Sequence, residues 1–101
     1  MKIAWADPAV DDLQAVHDYI GRDSEKYASH FVARILDAVE GLRVFPHRGR
    51  QVRETPDHPD VRELLFQTYR IVYRAEEARV LVLAVVHGSR DLSRLRPWTI
   101  G

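Results

Sequence analysis

The chain has 101 residues, 46% hydrophobic and 30% charged, with 15 basic and 15 acidic side chains that cancel to a formal net charge of zero. That length holds one small core, a single domain over residues 1–101 with no room for separate cofactor and substrate domains. The lack of cysteine excludes a disulfide scaffold, an iron–sulfur centre and any cysteine-ligated zinc site, and the longest apolar run, Val80–Val86, is too short to span a bilayer.

Lys2–Ala6 reads as a short opening strand with Ile3 and Trp5 on one face. Asp7 interrupts it too early for a signal-peptide core, so the expected location is the cytoplasm, away from membranes. Asp7-Pro8 has the form of a helix start, a carboxylate at the cap and proline at the first helical position. Ala9, Leu13, Val16 and Ile20 form the apolar stripe of that helix, with Asp11, Asp12, Gln14 and Asp18 on its outer face. Gly21–Asp23 breaks it and Ser24 is the next cap. A longer helix follows, with Ala28, Phe31, Val32, Ile35, Val39 and Leu42 on one stripe, and Pro46 stops it near Phe45. Gly41 inside it marks fraying or close packing.

Residues 46–60 are loop-like, broken by Pro46, Gly49, Pro56 and Pro59, although 49–54 has the makings of a short edge strand. Val61–Phe66 is the next strand. Tyr69–Ala75 alternates, with Tyr69, Ile71 and Tyr73 facing one way and Arg70, Val72 and Arg74 the other. After the acidic turn at Glu76, Arg79–His87 is apolar on both faces, as expected of an interior strand covered on both sides. The order β-α-α-β-β-β gives an α+β fold: a two-helix hairpin packed on one face of a small, twisted, mainly antiparallel sheet.

The neutral balance hides an asymmetry. Residues 1–42 carry four basic and eight acidic side chains, whereas residues 43–101 carry eleven arginines, no lysine and seven acids. An arginine-only basic half suits an anionic partner, nucleic acid or an acidic protein segment, but it is equally the solvated surface of an arginine-rich composition. The histidines at 17, 30, 47, 58 and 87 lack metal-ligand spacing, the glycines form no phosphate-binding loop, and no cofactor is expected. What remains is a polar set beside the meander: Glu54, Arg62, Arg70, Arg74, His87 and Arg90. Histidine with arginine can cut RNA without a metal, the histidine moving a proton and the arginine stabilising the phosphorane. The alternative is structural, with Arg70 and Arg74 paired to Glu63 and Glu76. Trp98, near the end of the tail, is either tucked onto the core or offered to a partner.

Several stretches resemble the RelE/ParE toxin superfamily of type II toxin–antitoxin systems. They are Ile3–Leu13 with Asp18-Tyr19-Ile20, Phe45-Pro46 with Gly49-Arg50, Val61-Arg62-Glu63-Leu64, Tyr69–Arg74, and Val86-His87-Gly88-Ser89-Arg90-Asp91-Leu92. The two helices and the His-Gly-x-Arg-Asp ending are most similar to the ParE-like, plasmid-stabilisation branch. That resemblance implies a growth-inhibiting toxin that poisons DNA gyrase and is neutralised by a cognate antitoxin, ParD-like or other, with operator DNA bound only through the pair. The RelE-like alternative implies a ribosome-dependent mRNA endonuclease, with Arg70, His87 and Glu54 as its catalytic candidates. Gly88 and Ser89 depart from it, standing where those members carry a terminal tyrosine, and the catalytic lysines of others are missing. A member that has lost toxicity and only binds its antitoxin is a third possibility. For the ParE-like reading, Arg62, Arg70 and Arg74 are the expected antitoxin contacts and Trp98 the expected gyrase contact.

Overall fold

The first helix is capped by the end of a strand rather than by a side chain. In a computed structural model that describes residues 1–99, β1 (Lys2–Trp5) pairs in parallel with β5 (Arg79–His87), Trp5 opposite Val82. Ala6 continues that pairing by donating its N–H to Val82 O at 2.9 Å, and its own carbonyl accepts from Ala9 and Val10. Ala6, in extended backbone, is therefore the cap of α1 (Asp7–Gly21), and Asp7 becomes the first helical residue instead of the cap expected from sequence. Its charge still sits in the first turn, where the helix dipole favours it. The cap expected for α2 (Glu25–Glu40) is present, with Ser24 Oγ accepting from the Tyr27 N–H at 3.1 Å. This helix ends at Glu40, short of Phe45, because Gly41–Arg43 tightens into a 3-10 turn under the Arg48 side chain.

The remaining strands are β2 (Arg50–Gln51), β3 (Val61–Phe66) and β4 (Tyr69–Ala75), giving five strands in the order β1-β5-β4-β3-β2. All neighbours are antiparallel except β1 and β5, and the helical hairpin carries the chain from β1 at one edge of the sheet to β2 at the other. The expected meander is present, and 49–54 contributes only the two-residue edge strand β2. A two-residue turn at Gln67-Thr68 joins β3 to β4, with Gln67 in left-handed backbone at φ 52°.

One core lies between the hairpin and the sheet, where Ala9, Val16, Phe31, Ile35 and Val39 meet Ile71, Tyr73, Val80, Val82 and Val85. A second lies on the opposite face, where Val52, Val61, Val72, Leu81 and Leu83 are covered by Leu92 and Trp98 of the C-terminal segment. Two covered faces account for the uninterrupted apolar run of β5. The register jumps within that run, since Val72 pairs with Ala84 and Tyr73 with Val82, leaving Leu83 as the extra residue of a β-bulge. Beyond the bulge β1 has ended, and Asp12 takes its place, accepting the Val85 N–H at 3.0 Å. Asp12 is thus half-buried rather than on the outer face of α1, and burial raises its carboxyl pKa above the ordinary value. Among the described residues no helix is long and apolar enough to cross a membrane.

Candidate functional site

Arg70 stands in the middle strand on the face away from the helices, opposite Val86, and is 2% exposed. A guanidinium has five N–H donors, and here its three nitrogens make four hydrogen bonds and one further ion-pair contact. Nε donates to Glu63 Oε1 at 2.8 Å, while Nη2 reaches Glu63 Oε1 and Glu54 Oε1, both at 2.7 Å. Nη1 donates to Glu54 Oε2 at 2.8 Å and to the Arg90 carbonyl at 3.1 Å. Glu63 comes from the neighbouring strand and also accepts from Arg50 Nε at 2.8 Å. Glu54 comes from the loop before β3 and also accepts the Leu92 N–H at 3.0 Å, tying the tail to the sheet.

These bonds set the chemistry of Glu54. Hydrogen bonding by Arg70, and less by the Leu92 N–H, holds its carboxyl at about 2 against the opposing effect of burial. A carboxylate so acidic is a weak base near neutrality, and a buried guanidinium whose three nitrogens all bond carboxylates receives a phosphate oxygen only by giving one up. The depressed value also has a consequence for stability. The Glu54 contribution is fully present above its unfolded value of 4.5 and is lost as pH falls through that value toward 2. Denaturation followed from pH 6 to pH 2.5 is expected to show a loss of roughly 3 kcal/mol from this group, and Glu54→Gln is expected to flatten that part of the curve. An unchanged slope in the variant contradicts the assignment.

His87 is separated from this pair. It ends β5 opposite Tyr69, on the helix side of the sheet, with the two rings edge to face at 6.0 Å. Its Nδ1 accepts the Ser89 N–H at 3.2 Å and lies 2.7 Å from Ser89 Oγ. The fold therefore brings Glu54 and Arg70 together and places His87 on the other face. The arginines divide in the same way. Arg74 shares the face of Arg70, donating to Glu76 at 3.1 Å and to the Trp98 carbonyl at 2.9 Å. Arg62 stands opposite Tyr73 on the other face, bonded to the Gly49 carbonyl at 2.8 Å and the His47 carbonyl at 3.3 Å. The structural pairs Arg70–Glu63 and Arg74–Glu76 are both formed. Trp98 is 8% exposed in the second core, and the last tail residues, Ile100 and Gly101, lie outside the described residues.

Two further surfaces complete the description, the first on the helical hairpin. A groove of about 200 Å³ runs between the helices, lined by Val10, Leu13, Gln14, His17 and Val32. At the other end of α2, a loop clamped by the buried Tyr73 hydroxyl presents Val44 and Phe45 to solvent. Among the described residues, no three histidine, aspartate or glutamate side chains are placed to hold a metal ion.

A family model described as the ParE toxin of type II toxin–antitoxin systems matches residues 3–92. Over 90 residues, the chain is 31% identical to the toxin RelE2 of Caulobacter vibrioides, covering 88% of this chain and 97% of that protein. The fold is similar to that of a chain from the chromosomal ParDE toxin–antitoxin system of P. aeruginosa. That likeness has a TM-score of 0.71 and 22% identity, and covers 86% of this chain and 95% of the other.

Proposed function

The chain belongs to the ParE toxin family of type II toxin–antitoxin systems, and from that premise we propose that it arrests growth in the cytoplasm by binding DNA gyrase, with no chemistry of its own. The observation that carries this reading is the state of Arg70. Its three guanidinium nitrogens are all bonded to carboxylates inside the protein, its Glu54 partner is held ionised, and His87 lies across the sheet. A ribonuclease needs a proton carrier and a free phosphate-binding cation on one side of the scissile bond. The second reading, a ribosome-dependent mRNA endonuclease, draws on the identity with the toxin named RelE2.

The cognate antitoxin completes the proposal. A flexible segment gains most by laying an apolar stripe into a concave surface, and the groove between α1 and α2, with Val10 of its lining half exposed, offers one. Carboxylates of the same segment pair with Arg62 on the helix side and, where it passes round the sheet, with Arg74 on the far face, both of which keep part of their surface, while Arg70 supports the sheet. Operator DNA is bound only through that complex. In cells induced to make the chain, gyrase–DNA cleavage complexes are expected to accumulate while mRNA stays intact. Cut mRNA on ribosomes with no cleavage complexes contradicts the proposal and favours the second reading.

A further inference from the structure

Val44 and Phe45 are adjacent and 72% and 64% exposed, an apolar pair that contributes almost nothing to either core. Their loop is nevertheless held firmly. Val44 and Phe45 both donate their N–H groups to the Gly41 carbonyl, at 3.3 and 3.2 Å, and the Phe45 carbonyl accepts from Arg48 at 3.1 Å. The buried Tyr73 hydroxyl donates to the Pro46 carbonyl at 2.8 Å and accepts the Gly49 N–H at 2.9 Å. Gly49 is pressed so closely onto the sheet that a Cβ there would lie 2.7 Å from both the Glu63 carbonyl and the Tyr73 hydroxyl. A rigid base under two exposed apolar side chains is the arrangement of a contact surface formed before its partner arrives.

We propose that the Val44–Phe45 knob is the contact through which the toxin engages its target, covered by an apolar surface with an acidic rim on a folded protein. The proposal rests on the reading of the chain as a binding toxin. Position separates this partner from the antitoxin, because Val44 and Phe45 line a surface depression with Pro46, His47 and Arg48, distinct from the groove between the helices that fits a flexible segment. Charge gives the rim. Residues 41–53 carry Arg43, Arg48, Arg50, Arg53 and His47 and no acid. Arg43 and Arg50 are paired to Glu40 and Glu63, while Arg48 has no carboxylate within ion-pair distance among the described residues. Phe45 also differs from Tyr19, 66% exposed on α1, in having no polar atom to present to water.

The test uses purified gyrase with relaxed plasmid, and growth arrest in cells, for the wild type, Phe45→Asp and Tyr19→Asp, with thermal melts as the check on folding. The expected result is that Phe45→Asp raises the concentration needed for inhibition roughly tenfold or more and relieves growth arrest, while Tyr19→Asp matches the wild type. Inhibition of gyrase by Phe45→Asp within twofold of the wild type overturns the knob and leaves the gyrase reading standing. A wild type that arrests growth without inhibiting gyrase overturns the gyrase reading, and the growth assay then decides the knob, since arrest retained by Phe45→Asp overturns it. A wild type that does neither overturns both.

Discussion

Arg70→Ala is expected to cost about 3–5 kcal/mol of stability, because it strands two buried carboxylates that have no other strong cation. Glu54 keeps the Leu92 N–H and a long 3.7 Å ion pair to the exposed Arg53, and Glu63 keeps Arg50, whose side chain is also largely in solvent. Protonation then relieves the repulsion, so the variant is expected to be most damaged at neutral pH and to recover relative to the wild type in mild acid. Arg70→Met combined with Glu54→Gln is expected to regain part of the loss, since removing a buried ion cluster costs less than breaking it. For a domain of this size the single variant translates into a fall in melting temperature of roughly 15 °C or more. A residue serving only to stabilise a transition state leaves the melting temperature untouched, so a fall of less than about 3 °C, under 1 kcal/mol, contradicts this account of Arg70.

Trp98→Ala is expected to cost about 3–5 kcal/mol, the range for removing a large buried aromatic. The indole closes the second core over Val52, Val61, Val72 and Leu81, and its carbonyl receives the Arg74 guanidinium. Loss of the ring exposes the sheet face that the tail covers and loosens the Leu92 contact with Glu54 at the same time. Circular dichroism melts are expected to show the destabilisation, and toxicity and antitoxin binding are expected to fall together with it. Trp98→Phe is expected to restore most of both, since it keeps an apolar ring in the site. A variant that melts with the wild type yet has lost toxicity assigns Trp98 to a target contact instead.

The hairpin and the meander were legible because each has a period: three to four residues through Ala28, Phe31, Ile35 and Val39, and two through Tyr69–Arg74. The bulge at Leu83 was not, because a strand apolar on both faces has no alternation for an inserted residue to disturb. Asp12 falls on the outer face of α1 by the helical period, which carries no sign of a strand partner. Its hydrogen bond to Val85 depends on where β1 ends and where the bulge turns an N–H outward, and both are set by register. The cross-strand pair Arg70–Glu63 was visible as one of two options, being local to a hairpin. Glu54 joins it only because the 52–60 loop folds back over the sheet. The separation of His87 from Arg70 is again a matter of register, since a one-residue slip of β5 against β4 would bring both to one face. The apolar stripe of α2 and Pro46 point to a helix end at Phe45, whose exposure follows instead from the helix ending at Glu40 and the 3-10 turn at Gly41–Arg43.

The central claim is that this fold acts by occupying its target and not by cutting RNA. His87→Ala tests it most directly, made in cells where growth arrest, gyrase–DNA cleavage complexes and ribosome-bound mRNA ends are followed together, with the melting temperature measured on the purified variant. The account predicts wild-type arrest, wild-type levels of cleavage complexes and no new mRNA ends in either strain. It is contradicted if the wild type produces cut mRNA on ribosomes and His87→Ala abolishes the cuts while melting like the wild type.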